Sequence, residues 1–135
     1  LAHLQHKHII VRADVFNPPN PGDHKNLTEW FEDLVSSIKM KILSGPHVVY
    51  CKMVGNQGFT GVCAIETSHI ALHIWDEESP GRLELDVYTC SDLDQSVIFD
   101  KLQAFSPVNI KYIVLDRQDG QQIIEHVIEK QSLAA

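Results

Sequence analysis

Ser68-His69-Ile70-Ala71-Leu72-His73-Ile74-Trp75, then Asp76-Glu77-Glu78-Ser79-Pro80-Gly81, then Arg82-Leu83-Glu84-Leu85-Asp86-Val87-Tyr88-Thr89: two β-rich runs flank a turn too polar to be buried. The pattern reads as an antiparallel hairpin. Strand alternation places Ser68, Ile70 and Leu72 on one face and His69, Ala71 and His73 on the other. A polar group on each face separates this segment from a simple amphipathic edge strand.

Outward from this hairpin, a second one is predicted upstream, with His47 to Val54 and Thr60 to Glu66 joined by Gly55-Asn56-Gln57-Gly58. Before it, Ile9 to Phe16 reads as a strand closed by Asn17-Pro18-Pro19-Asn20-Pro21-Gly22. Asn26 with Glu29 resembles a capping box, and Leu27, Trp30, Phe31, Leu34, Ile38 and Ile42 recur at helical spacing, predicting a helix over Leu27 to Leu43 that Gly45-Pro46 stops. After Cys90, Ser91-Asp92-Leu93-Asp94 offers helix caps, and Val97, Ile98, Leu102 and Phe105 form a helical stripe ending at Pro107. A strand over Val108 to Leu115 and a terminal helix over Gln121 to Lys130 complete the order βαββββαβα. That order predicts an α+β two-layer sandwich, a mainly antiparallel sheet with helices on one face. Its uncovered face would expose apolar strand residues, so a homodimer is expected.

At 135 residues and 44% hydrophobic content the chain suits one domain, 1–135, rather than two. A formal charge of −7 without a run of Lys or Arg argues against nucleic acid and anionic membrane surfaces, and is compatible with a cationic ligand. Cys51, Cys63 and Cys90 cannot all pair with one another and include no close zinc-type pair, which favours a reducing cytoplasm. No apolar run approaches a membrane span. Residues 1–7 read as a flexible tail, and His3, His6 and His8 are given no metal role.

The chemistry concentrates between Glu66 and Cys90. Ser68 on a strand is ordinarily a plain hydroxyl. His69 and His73 are both out of phase with it, and no nucleophile-elbow pattern is present, which disfavours a serine hydrolase. Cys63 reads as core. Cys90, at a strand end beside Asp92, is placed for access by a ligand. His69, His73 and Cys90 have the right ligand chemistry for a metal, but alternating histidines are a weak signal and no metal site is assigned.

Taken in order, Gly58-Phe59-Thr60-Gly61-Val62, Ser68 to Trp75, and Asp86-Val87-Tyr88-Thr89-Cys90 resemble the small bacterial and archaeal S-adenosylmethionine decarboxylases, over nearly the whole chain. The resemblance implies a self-processing enzyme. Ser68 would attack the preceding carbonyl, cleaving the chain between Thr67 and Ser68 and turning residue 68 into a pyruvoyl cofactor. That ketone would form a Schiff base with the amino group of S-adenosylmethionine and act as electron sink while carbon dioxide leaves, giving the aminopropyl donor for spermidine. By the same resemblance His73 removes a proton during elimination, Thr60 assists where a serine is usual, and Cys90 reprotonates the substrate carbon. Glu77 binds the ribose hydroxyls, with Glu78 as a neighbouring substitute.

The chain also departs from the family pattern. Thr67 stands where Glu usually precedes the processing serine, with Glu66 displaced by one. The usual Trp-Pro-Glu turn is Trp75-Asp76-Glu77, and the loop before Arg82 is about two residues longer. Val54 replaces an aromatic ring expected to stack on adenine, a role for which Phe59 is the substitute. Two alternatives follow: an unprocessed binding or regulatory relative, and a pyruvoyl decarboxylase for another amine such as arginine.

Overall fold

The computed structural model describes residues 6–118 and 122–132 of the chain. Apolar side chains at every second position of β1 (Lys7–Val15), β4 (Ser68–Trp75) and β5 (Gly81–Thr89) bury Ile9, Val11, Ile70, Leu72, Ile74, Leu83, Leu85 and Val87 on one face. These central strands join β2 (Ile42–Cys51), β3 (Gly58–Ile65), β6 (Pro107–Asp116) and β7 (Gln122–Ser132) in one seven-stranded sheet of order β2-β3-β4-β5-β1-β6-β7. Every neighbouring pair is antiparallel. Two helices, α1 (His24–Ser37) and α2 (Gln95–Leu102), share the sheet's core through Leu27, Phe31, Leu34, Ile98 and Leu102. Each such side chain contributes about 1.5–3 kcal/mol on burial, so this single face holds the fold together. The architecture is the α+β two-layer sandwich that the sequence predicts. Among the described residues no helix covers the opposite face.

Phe31 reaches the sheet because β3 carries glycine beneath it. A Cβ at Gly61 would run into the Phe31 ring. Asp94 caps α2, its carboxylate accepting from the Ser96 amide at 3.0 Å, as the sequence suggests.

Three predicted features differ from the observed ones. The helix predicted over Leu27 to Leu43 begins at His24 and ends at Ser37, and Lys39 then turns left-handed at φ 60°. Ile38 and Ile42 still pack on the core, but Ile42 does so from β2. The apolar spacing therefore reports a buried side and not a continuous helix. Gly45-Pro46 does not stop a helix; it lies inside β2 where the register with β3 slips between Ser44 and His47. An edge strand tolerates a proline because one side of its ladder has no partner to lose. The terminal helix over 121–130 is instead β7, paired with β6 from Asp116↔Gln122 to Val108↔Ser132; Gln121 lies outside the described residues. Ile123, Ile124 and Val127 fit helical spacing, but their β-branched side chains favour a strand once β6 offers an edge.

The tail reading also fails at its inner end. Lys7 and His8 belong to β1, His8 is buried, and the His6 ring bonds the Tyr88 hydroxyl at 3.0 Å. Residues 1–5 lie outside the described residues.

Candidate active site

β3 and β4 are closed by the pair Ile65↔Ser68, leaving Glu66-Thr67 as a two-residue turn. Such a tight turn needs a left-handed residue, and Thr67 supplies it at φ 46°. For a β-branched residue this conformation is strained, by about 1–3 kcal/mol. The next residue is Ser68, whose hydroxyl oxygen is buried and has no hydrogen-bond partner. An orphaned buried hydroxyl directly after a strained peptide is an unusual expense for a fold; it leaves a nucleophile whose lone pairs are uncommitted. Cys90, just past the end of β5, donates its thiol to the Glu66 carbonyl at 3.3 Å, and the Thr67 hydroxyl donates to the same oxygen at 2.9 Å. The structure thus brings Thr67, Ser68 and Cys90 together.

Thr60 and His73 form a second group. They are cross-strand partners on β3 and β4, with the hydroxyl 3.0 Å from His73 Nδ1. With Cys51, Asn56, Phe59 and Trp75 they line a cavity of about 150 Å³. His73 stands five positions along the strand from Ser68, roughly 16 Å away, and their side chains leave opposite faces of β4. Within one chain, His73 is not beside Ser68.

Glu77 lies farther still, past the end of β4. Its carboxylate accepts from the Gly55 amide at 2.9 Å and the Gln57 amide at 2.8 Å, and the Gln57 and Gly55 bonds hold its carboxyl below the ordinary value. Asp76, at the usual proline position, accepts from the Tyr50 hydroxyl at 2.9 Å. Glu77 and Glu78 line a cavity of about 430 Å³ with Asp14, Glu84, Arg82 and Trp75, a setting suited to a cation. Phe59 is only 2% exposed, its ring set edge-on to Tyr50 and His24. It belongs to the core and reaches the surface only at the small cavity it lines with Thr60 and His73, and this burial argues against its expected stacking on adenine. Trp75 is the aromatic ring that touches both cavities, with its indole N–H donating to Asn56 at 2.8 Å. The sequence reading left Trp75 unassigned.

A third group escaped the sequence reading altogether. Asp86 Oδ1 bonds His8 Nε2 and lies 3.2 Å from His69 Nε2. The three residues come from β1, β5 and β4, which only the strand order makes adjacent. The available signal was the phase of His8, which alternates with the apolar residues of β1 and so marks it as part of the strand. Burial pushes the Asp86 carboxyl up, but the His8 and His69 bonds and charges more than offset this and leave it lowered. The three ligand-type atoms lie within 4.8 Å of one another, a spacing open to a metal ion. However, His8 Nδ1 faces the Arg117 guanidinium at 3.3 Å. A metal-bound imidazole normally donates its second N–H to an acceptor, and guanidinium can only donate. In the neutral ring, Arg117 therefore makes Nδ1 the acceptor and puts the ring proton on Nε2, toward Asp86. The trio is wired as a hydrogen-bonded relay.

A family model described as S-adenosylmethionine decarboxylase matches residues 7–118, most of the chain. The chain belongs to the S-adenosylmethionine decarboxylase family. It is 32% identical over 92 residues to an S-adenosylmethionine decarboxylase proenzyme of Archaeoglobus fulgidus, a match spanning 64% of this chain and 80% of that one. A proenzyme of the same name from Pyrococcus horikoshii is 32% identical over 85 residues, 63% of this chain and 57% of that one. One from Bacillus velezensis is 42% identical over 59 residues, 41% of this chain and 45% of that one. The crystal structure of the adenosylmethionine decarboxylase from Aquifex aeolicus shares the fold, at TM-score 0.65 and 22% identity, covering 88% of this chain and 98% of that one.

Proposed function

We propose that this member of the family is a self-processing, pyruvoyl-dependent decarboxylase of S-adenosylmethionine that supplies aminopropyl groups for spermidine synthesis. The observation that carries the reading is the buried, unpartnered Ser68 hydroxyl following the left-handed Thr67. Those residues fit the formation of a pyruvoyl group at position 68. Ser68 Oγ adds to the Thr67 carbonyl carbon and the C–N bond breaks, converting amide to ester. Removal of the residue 68 α-proton then expels the Thr67 carboxylate, and water replaces the nitrogen as ammonia. His73, bonded to Thr60 through Nδ1, is the base for the α-proton. Once formed, the pyruvoyl group supplies an electron sink for loss of carbon dioxide. Cys90 holds a thiol proton beside the same turn and returns it to the substrate α-carbon. Glu77 binds the ribose, and the acidic cavity around it attracts the sulfonium.

The separation of Ser68 from His73 and Glu77 supports a homodimer. Trp75 ends a strand roughly 23 Å from Ser68, and Glu77 lies beyond it, too far for one substrate to touch both in the same chain. A second copy brings His73 and Glu77 to Ser68. The helix-free face, with Val49, Val62 and Ile10 exposed, is the surface such a copy covers.

A second reading, a pyruvoyl decarboxylase for another cationic amine, is favoured by Val54, exposed where an aromatic ring is usual, and by the burial of Phe59. Denaturing intact mass with hydroxylamine trapping tests both. The expected result is fragments 1–67 and 68–135, the latter lighter by ammonia than a serine-ended fragment and forming an oxime. A single full-length mass after prolonged incubation would sink self-processing. Cleavage without turnover of S-adenosylmethionine would favour the second reading.

A further inference from the structure

Asp86 occupies a position with a symmetry that the decarboxylase chemistry above leaves unused. His69 on β4 and His8 on β1 are both register partners of Tyr88 on β5. Both reach diagonally across the helix-free face to the same carboxylate oxygen, Asp86 Oδ1. Diagonal partners on adjoining strands are within reach of long side chains, so one carboxylate ties three strands. The grip is buttressed on every side. Tyr88 packs its ring 5.4 Å from that of His8 and 5.7 Å from that of His69. Arg117 lies over Tyr88 at 4.6 Å and bonds His8 Nδ1, fixing the tautomer that donates to Asp86.

What this network grips is the residue that immediately follows Ser68. While the chain is intact, the Glu66-Thr67 turn holds the start of β4. Cleavage between Thr67 and Ser68 cuts that turn and makes position 68 a chain end, and chain ends fray unless tied down. The backbone there keeps its pairing with Ile65 and, one residue on, with Ala64 and Tyr88. The only side-chain bond made by His69 is to Asp86 among the hydrogen bonds of the described residues.

We propose that Asp86, held by His8 and gripping His69, is a positioning residue that clamps the start of β4, and so keeps the group carried at position 68 aligned after the turn is cut. Its effect on turnover rests on the decarboxylase reading, whereas the clamp itself is a property of the folded chain. Misplacement of a reacting group by about 1 Å can cost roughly 100-fold in rate, so a single clamp at this position is consequential.

The experiment compares wild type with Asp86→Ala, Asp86→Asn and His69→Ala. Amide exchange, followed by mass spectrometry, is read on peptides covering 68–75. S-adenosylmethionine decarboxylation is measured on the same cleaved proteins. Asp86→Ala is expected to speed exchange in that peptide and to lower kcat roughly 10- to 100-fold, with KM within about twofold. Asp86→Asn retains an oxygen that accepts from both rings and is expected to recover most of the turnover. That rescue separates positioning from a role for the negative charge. His69→Ala removes one arm, and combined with Asp86→Ala it is expected to add little, because both act through one contact.

Unchanged exchange in Asp86→Ala and His69→Ala would overturn the clamp whatever the activity. Faster exchange with unchanged kcat would overturn its part in turnover. A wild-type chain that stays whole would instead count against self-processing, and the exchange comparison, repeated in the Ser68→Ala background, would still decide the clamp. Should Asp86→Ala fold poorly, His69→Ala carries the same comparison.

Discussion

Thr67 concentrates the questions that arise at the scale of single residues. The sequence shows it where the family resemblance sets a glutamate, beside the proposed cleavage site; only the backbone shows that it is left-handed, at φ 46°. Releasing that strain in the ground state is expected to make cleavage harder. In a Ser68→Ala background, Thr67→Gly is therefore expected to raise stability by about 1 kcal/mol, measurable as a higher Tm. In the otherwise native chain it is expected to slow self-cleavage roughly fivefold, followed by denaturing mass against time. Equal or faster cleavage would remove strain from the account. Asp86 gives a second test. Its carboxyl is lowered in the fold from an ordinary value of 3.8, so the stabilisation it brings is present above that value and is lost as pH falls through the lower folded one. Asp86→Asn is expected to flatten this acid limb in denaturant titrations. Ser68, Cys90, His73 and Thr60 were legible as candidates because the family resemblance marks them in order along the chain. The Asp86 relay was not, since its members lie 17 and 61 residues apart in pairs and meet only through the strand order.

Individual elements were legible where one face of a strand is buried. Alternation in β1, β4 and β5 is regular because each has a helix-covered side and an open side, and a slip of one residue would invert both. It failed where two periods compete. Ile38 and Ile42 continue a helical spacing past the end of α1, and Ile123, Ile124 and Val127 mimic a helix in what is β7. In each case the neighbouring strand, not local propensity, decides. Packing between elements makes its own prediction at Gly61. Phe31 of α1 rests where a Cβ would stand, and Phe31 is fully buried. Gly61→Ala is expected to destabilise the fold by about 1–3 kcal/mol through overpacking, and Gly61→Ala with Phe31→Leu to recover part of the loss. A neutral Gly61→Ala in urea unfolding would show that α1 can lift from the sheet without cost.

For the molecule as a whole, the division of the candidate site is the decisive feature. Thr67, Ser68 and Cys90 gather at one end of β4, whereas Thr60 and His73 lie well along it and Glu77 lies past its other end. One rigid sheet cannot fold these ends together, because β4 is paired along its length with β3 and β5. A homodimer in which each Ser68 is served by the other copy's His73 resolves the geometry and gives a test by complementation. Ser68→Ala alone is expected to remain whole for want of a nucleophile, and His73→Ala alone to remain largely whole for want of its base. Expressed together, they form mixed dimers in which the native Ser68 of the His73→Ala chain faces the native His73 of the other. Cleavage is then expected to return, and only in the chain carrying His73→Ala, distinguished by its mass after denaturation. At random pairing about half of the dimers are mixed, and each restores one of its two sites, so about half of the His73→Ala chains would be cut. If the two variants are instead as inert together as apart, while light scattering shows mixed dimers, each site is built from a single chain and the strand must move to bring His73 to Ser68.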